Sequence, residues 1–317
     1  MKFSVTIPTF KARYLAEAIQ SVASQSYADW ELIIVDDCSP EDIRGIVAPF
    51  LIDSRIRYYR NGQNCGSVNV VDNWNICLSY CTGDYVICIG DDDRLLPCCL
   101  EQYHDLILQH PGLNVYHAWS EIIDEHGIVT SMQAPRPEWE SVLSLIWNRW
   151  SSREKQFIGD FCYSVGYLKA AGGYYKLPLA WGSDDITATM AANEKGIANT
   201  QQICFQYRDN SRSITSSTAN ARQKMLATLQ QYDWFGHFLE AIRTADKKLS
   251  HADQAYLDTI AIPRQRYYYN SLGKNCSDYI KGNPIRLLWC YRQLRPLHFS
   301  LLAYVKWYFS SIYHLFV

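Results

Sequence analysis

Several signatures that would settle a function quickly are missing from these 317 residues. The 11 cysteines are odd in number and scattered, with Cys98 and Cys99 adjacent and no Cys-x-x-Cys pair. That argues against both a zinc site and a disulfide framework, so a reducing compartment is expected. No G-x-G-x-x-G follows the first strand-like run, and G-x-x-x-x-G-K-[ST] occurs nowhere, so neither a dinucleotide fingerprint nor a Walker loop is available to cradle phosphate. No secretory leader precedes the strand pattern that starts at Phe3, which places the expected location on the cytoplasmic side. The last apolar run, Leu297 to Val317, is long enough to span a bilayer but carries Lys306, His298 and His314, and so fits an interfacial helix better than a spanning one.

What is present is a globular composition, 48% hydrophobic, with ample material for a core. The 23 Tyr and 10 Trp would suit a sugar-binding surface, a membrane interface or an ordinary core, and do not choose among them. A net charge of −2 conceals an asymmetry: from Pro263 onward there are eight Lys/Arg against the single acid Asp278, a tail of +7. No nucleic-acid partner is expected. The basic tail, with Trp289, Tyr291, Trp307 and Tyr308, is expected to make peripheral contact with an anionic membrane, or else to pack on the rest of the chain or form a homodimer.

Apolar runs and their punctuation predict strand Phe3–Ile7, helix Tyr14–Gln25, strand Trp30–Val35, strand Ile56–Arg60, helix Ser67–Ser79 and strand Tyr85–Ile89. Strand, helix, strand at this spacing is a βαβ unit, which implies a mostly parallel α/β sheet with ligands gathering outside the carboxyl ends of its strands. Pro8-Thr9-Phe10, Asp36-Asp37 and Asp91-Asp92-Asp93 all fall at such ends. Three adjacent carboxylates repel one another, and a hard divalent cation bridging to a polyphosphate would compensate them; a solvated acidic turn is the plainer alternative. Carboxylates at the second strand suit hydrogen-bond donors on a base or ribose, and Phe10 would stack on a base or serve as a core ring.

Taken together, Ser4-Val5-Thr6-Ile7-Pro8-Thr9-Phe10, Leu15-x-Glu17-Ala18-Ile19-x-Ser21-Val22, Glu31-Leu32-Ile33-Ile34-Val35-Asp36-Asp37-x-Ser39, Asn64-x-Gly66, Asn73 and Gly83-Asp84-Tyr85-Val86, followed by Asp91-Asp92-Asp93-x-Leu95-x-Pro97, resemble the start of the family 2 inverting glycosyltransferases with the glycosyltransferase-A fold. The resemblance is close over the first third of the chain. It implies a Rossmann-like, mixed and mostly parallel sheet flanked by helices, with a C-terminal helical extension. It also implies that Pro8, Thr9, Phe10, Asp37 and Asn64 surround the nucleotide, that Asp91 meets the ribose, and that Asp92, with Asp93 beside it, carries Mn²⁺ or Mg²⁺. Many relatives have Asp-x-Asp-Asp here, and this chain has Gly90 at the first position.

In the second half, helix Glu101–Gln109, strand Asn114–Trp119, a strand and turn over Ile122–Thr130 and helix Ser141–Trp150 lead to Trp181-Gly182-Ser183-Asp184-Asp185. Ser183 and Asp184 would cap the following helix in any protein. The resemblance adds a role, because relatives carry a Glu-Asp pair here whose Asp is the catalytic base: Ser183 replaces the Glu, Asp184 becomes the base, and Asp185 stands in reserve. A short strand and polar loop run from Phe205 to Thr215; relatives often close the donor site with such a loop, which would set Arg208 or Arg212 facing the diphosphate, and a solvated basic loop is the plainer alternative for either Arg. Helices are predicted over Ala219–Ala245 and Ser250–Ile260.

The expected organisation is a nucleotide-sugar-binding half, 1–99, an acceptor-binding half of the same catalytic domain, 100–217, and a helical, membrane-associating region, 218–317. The expected function is a metal-dependent inverting glycosyltransferase of the hexosyltransferase class. It would move a sugar from a nucleotide-diphospho-sugar, a UDP-sugar, to a glycan or lipid-linked acceptor in bacterial surface polysaccharide assembly. Two alternatives use the same features: a nucleotidyltransferase, which would normally bring a basic Gly-rich loop after the first strand, and a non-catalytic nucleotide-sugar-binding module at the membrane.

Overall fold

The computed structural model describes residues 1–153, 155–210, 217–246 and 248–313. In chain order its elements are β1 (Phe3–Thr9), α1 (Leu15–Ala23), β2 (Trp30–Asp36), α2 (Ile43–Val47), β3 (Ile56–Arg60), α3 (Val70–Tyr80), β4 (Tyr85–Cys88), β5 (Arg94–Leu95), α4 (Cys99–Gln109) and β6 (Val115–Ile123). They continue with β7 (Val129–Met132), β8 (Trp139–Glu140), α5 (Val142–Trp150), β9 (Phe161–Ser164), α6 (Val165–Ala170), α7 (Ser183–Ala192) and β10 (Ile197–Arg208). Five helices close the chain: α8 (Ala221–Thr244), α9 (His251–Thr259), α10 (Ala261–Ile280), α11 (Pro284–Leu294) and α12 (Leu301–Tyr313).

The main sheet runs β3-β2-β1-β4-β9-β6-β10-β5, with β7 on β6 and β8 on β10. Strands β3, β2, β1, β4, β6 and β10 point one way, while β9 lies antiparallel between β4 and β6. This is the expected mixed, mostly parallel architecture. Because those six strands share a direction, the carboxyl ends of β1, β2, β4 and β10 open on the same edge of the sheet.

The sequence of β2 shows why both faces are covered. Leu32 and Ile34 enter one core with α1, α2 and α4, whereas Ile33 and Val35 enter a second core with α3, α5 and the C-terminal helices. A strand buried on both faces reads as a continuous apolar run, which is what Leu32-Ile33-Ile34-Val35 is. In α1 the predicted stripe Leu15, Ala18, Ile19 and Val22 is fully buried. Strand β1 runs two residues past the predicted stop at Ile7: its pairing with β4 ends at Thr6, so the missing N–H of Pro8 costs no ladder bond there, while pairing with β2 continues to Thr9.

The tail differs from the expectation in which side faces out. The second core extends from Ile33 and Val35 through Tyr268, Leu272 and Cys276 to Trp307. Trp307, expected at a headgroup level, is 6% exposed and lies over Gly273, where a Cβ would come within 2.4 Å of its Nε1. Tyr291 and Tyr304 meet edge to face at 5.2 Å. Arg212 and His314 lie outside the described residues. No helix among the described residues is long and apolar enough to cross a membrane.

Candidate active site

The first acid cluster follows β4. Asp91 Oδ2 accepts from the backbone N–H of Phe10 (2.8 Å) and Lys11 (2.8 Å) and from Thr9 Oγ1 (3.2 Å), so it fastens the loop after β1 to the end of β4. Burial, and then the neighbouring Asp92, push its carboxyl up to about 6 against those amide donors. Asp93 is 3% exposed and accepts from the backbone N–H of Arg208 (2.9 Å) and of Gly90 (3.2 Å). Burial, with Asp92 adding to it, raises its pKa well above the usual carboxylate range. Asp93 was expected to share the metal with Asp92; both of its oxygens are instead spent on backbone groups that hold the β4 and β10 ends together.

Asp92 is placed differently. Its Oδ2 accepts from Asn210 Nδ2 (2.6 Å), and its side chain faces a cavity of about 230 Å³ shared with Phe10, Lys11, Arg13, Tyr14 and Asn210. Its Oδ1 lies over Gly90: a Cβ at that position would come within 2.8 Å of Asp92 Oδ1 and within 2.8 Å of Asp93 Oδ2. The departure at Gly90 thus has a steric reason, since the space an aspartate would fill is occupied by its two neighbours. Among the described residues no three His, Cys, Asp or Glu side chains converge to cage a cation unaided. A half-buried carboxylate at a cavity, with one oxygen that receives no hydrogen bond among the described residues, fits a hard divalent cation that takes the rest of its shell from a ligand's phosphates and from water.

At the end of β2, Asp36 is fully buried against Arg60, Tyr58 and the Ser39 N–H. Asp37 accepts from Asn61 Nδ2 (2.9 Å) and the Cys65 N–H (2.9 Å), and its carbonyl receives Asn64 Nδ2 (2.9 Å). The loop that carries Asn64 is folded back onto Asp37, with Asn61 also bridging to Asn73 (3.0 Å). Phe10 is 42% exposed, so its ring is not a core ring. Pro8 and Thr9 form the end of β1 beneath it.

Arg208 does not present its guanidinium to a diphosphate in this geometry. It is 1% exposed and donates to the Asp92 carbonyl (2.8 Å), the carbonyls of Asp124 (3.2 Å) and Glu125 (3.3 Å), and Glu17 Oε2 (2.7 Å), with its plane 4.1 Å from the Tyr14 ring centre. It clamps the acid loop from behind.

The second cluster opens α7. Leu179 (φ 61°), Ala180 (φ 54°) and Gly182 (φ 85°) all take left-handed backbone, which costs the two non-glycine residues roughly 1 kcal/mol each. A Cβ at Gly182 would sit 2.4 Å from Gln231 Nε2, so α8 presses directly on this turn. Asp185 is 4% exposed and held from three sides: Arg149 Nε (2.8 Å) and Nη2 (3.3 Å) from α5, Gln231 Nε2 (3.0 Å) from α8, and Tyr267 Oη (3.5 Å) from α10. Asp184 receives no side-chain hydrogen bond among the described residues and lines a cleft of about 340 Å³ with Trp74, Asp93, Phe157, Trp181 and Tyr207. Burial first and Asp185 second push its carboxyl up to about 7, with Arg149 opposing them. Consecutive residues thus line the two hollows: Asp92 faces the cavity and Asp93 the cleft that holds Asp184.

Arg149, Gln231, Tyr267 and Asn210 were not among the residues singled out from the sequence. The first three sit 36 to 82 positions from Asp185 on ordinary helical faces and carry no local signal.

Comparison with known proteins gives the family and the fold. The profile described as "Glycosyl transferase family 2" matches residues 4–163. A UDP-Glc:alpha-D-GlcNAc-diphosphoundecaprenol beta-1,3-glucosyltransferase, WfgD of Escherichia coli, is 25% identical over 240 residues, 75% of this chain and 86% of that protein. The structure of Staphylococcus aureus TarS 1-349 in complex with UDP-GlcNAc superposes with a TM-score of 0.65 at 18% identity, covering 97% of this chain and 89% of that one. The mannosyltransferase PcManGT from Pyrobaculum calidifontis, solved with GDP-Man and Mn2+, gives 0.52 at 14% identity, covering 98% and 84%.

Proposed function

Because the chain belongs to glycosyl transferase family 2, we propose that it transfers a hexose from a UDP-sugar to a hydroxyl of a lipid-linked acceptor in bacterial surface polysaccharide assembly, with inversion and with a divalent cation. The observation that carries the reading is the state of the two acids at the start of α7: Asp185 is paired, while Asp184 receives no side-chain hydrogen bond among the described residues and stands in a cleft rimmed by aromatic rings. The donors of two similar proteins, UDP-Glc for WfgD and UDP-GlcNAc bound to TarS, support the uridine nucleotide. The diphosphoundecaprenol acceptor of WfgD supports a lipid-linked one.

The chain's own groups divide the work. Phe10, exposed beside Pro8 and Thr9, offers a face for the base, and Asp37 with Asn64 forms the polar wall next to it. Asp91 holds the loop bearing Phe10 in place. Asp92 would hold Mn²⁺ or Mg²⁺, which when bound offsets charge on the departing nucleotide. Asp184 takes the proton of the acceptor hydroxyl as that oxygen forms its bond to the anomeric carbon; the bond from that carbon to the diphosphate oxygen breaks on the opposite face, so the configuration inverts. An acid held near neutrality suits that task, because it can accept a proton and release it again at working pH.

Asp184→Asn is expected to leave UDP binding intact, measured by calorimetric titration, while lowering the rate of UDP release with acceptor by about 10²-fold or more. Turnover retained in Asp184→Asn and lost in Asp185→Asn would reverse the assignment.

A further inference from the structure

Helix α12 is apolar on two sides. Its inner side, Ala303, Tyr304 and Trp307, is at most 6% exposed and packs on α10. Its outer side carries Leu301 (69% exposed), Leu302 (61%), Val305 (45%) and Phe309 (63%). The spacing i, i+1, i+4, i+8 puts these four within one sector of about 100°. The neighbouring α11 repeats the arrangement: Cys290 and Leu294 are fully buried, whereas Ile285 and Leu288 are 77% and 50% exposed. Six large apolar side chains on two adjoining helices therefore remain in solvent, more than isolated surface leucines would account for.

On α11, α12 and the segment that joins them the charge has one sign, the acid of the tail, Asp278, lying on α10. Residues 281–313 contain no Asp or Glu and five cations, Lys281, Arg286, Arg292, Arg295 and Lys306. All five are exposed, and among the described residues none is in an ion pair. We propose that the outer face of α11 and α12 docks on an anionic lipid surface, its aliphatic sector entering the acyl boundary while the five cations meet headgroup phosphates. A second copy of the chain fits worse, because a two-fold contact sets this patch against itself and brings five cations to the same five with no acid on either helix to answer them. Among the described residues no helix is long and apolar enough to cross the bilayer, so the proposal concerns a helix lying on the surface. The contact uses neither Asp92 nor Asp184, so it stands or falls separately from the catalytic reading while bringing the cleft to the surface where a lipid-linked acceptor lies.

The test is flotation of the full chain with phosphatidylcholine vesicles, with and without phosphatidylglycerol. The chain is compared with Leu302→Ser/Val305→Ser/Phe309→Ser and with Arg286→Gln/Arg292→Gln/Lys306→Gln. The unaltered chain is expected to float with the anionic vesicles only and to be released by salt only in part. The serine variant should float at least tenfold less, and the glutamine variant should lose its preference for anionic lipid; both should keep UDP binding and melting temperature, since every altered residue is exposed. If the serine variant aggregates, the glutamine variant decides. A chain that stays at the bottom of the gradient with anionic vesicles overturns the proposal. Variants that float as well as the unaltered chain do the same. So does a dimer in sedimentation that the serine variant converts to monomer, which would assign the face to a second copy.

Discussion

At Asp91-Asp92-Asp93 the structure commits the two outer carboxylates to backbone N–H groups and leaves the middle one at a cavity; at Asp184-Asp185 it commits the second to Arg149, Gln231 and Tyr267 and leaves the first in a cleft. In both places the working acid is defined by its neighbour's partners. The means differ. The outer acids of the first cluster are held by backbone N–H groups of the loop after β1, of β10 and of their own loop, which no substitution of a side chain removes, together with the Thr9 hydroxyl. The second is neutralised by a guanidinium and two helices from the far end of the chain, which single substitutions can undo. The first arrangement suits a site that must hold one geometry, the second a site whose proton affinity is set by one charge.

Beyond Asp184→Asn, the largest effect expected from breaking this contrast is at Asp92. Asp92→Asn should weaken Mn²⁺-dependent UDP binding by about a hundredfold or more, since a bound cation contributes several kcal/mol of charge stabilisation. Titration of UDP with and without Mn²⁺ reads this directly, and an unchanged dissociation constant would remove Asp92 from the metal. Next comes Arg149. Without its cation, Asp184 faces the Asp185 charge alone, so its pKa rises and the ionised base is reached only at higher pH. The acid limb of turnover in Arg149→Gln should therefore move up by about one pH unit, with activity near neutrality recovered by raising the pH. Asp185→Asn removes the like charge and should move that limb down. Identical limbs in both variants would show that the ion pair does not set the base. The smallest effect is at Asp93, where Asn keeps one acceptor and loses the other. Asp93→Asn should cost about 1–2 kcal/mol of stability in denaturant titration with little change in metal affinity. A metal defect as deep as that of Asp92→Asn would restore Asp93 as a ligand.

The first third of the fold was legible because residues 32–35 and 85–89 are uninterrupted apolar runs that lead into acids, because β1 alternates apolar residues up to a proline, and because α1 keeps a strict helical stripe. Of the later elements that were not read, two show why. Strand β9 is only Phe161-Cys162-Tyr163-Ser164, too short for any period, and it becomes a strand because β4 and β6 supply ladders on both sides. Helix α10 holds Pro263 and Gly273, which read as breakers; Pro263 falls in the first turn, where an N–H has no helical partner to lose, and Gly273 is required by the approach of Trp307. In the site, the acids were visible as residue types at strand and helix ends. Which of them is spent could not be seen, because that depends on partners such as Arg149, 36 positions away, and the Arg208 amide, 115 away. Arg208 itself looked like a phosphate ligand by residue type and proves to be a buried strut.

Helix α10 carries Tyr267, which touches Asp185, and six residues later Gly273, on which Trp307 of α12 rests. Six residues of α-helix are about 9 Å, without a hinge between them. With the outer side of α12 against a bilayer, this rod would act as a gauge: the rigid spacing between the α12 contact and Asp185 would hold the cleft at one set height above the lipid. An acceptor whose reacting hydroxyl stands at that height is favoured over one standing nearer or farther, so a share of acceptor choice would be made by elevation before any sugar hydroxyl is recognised.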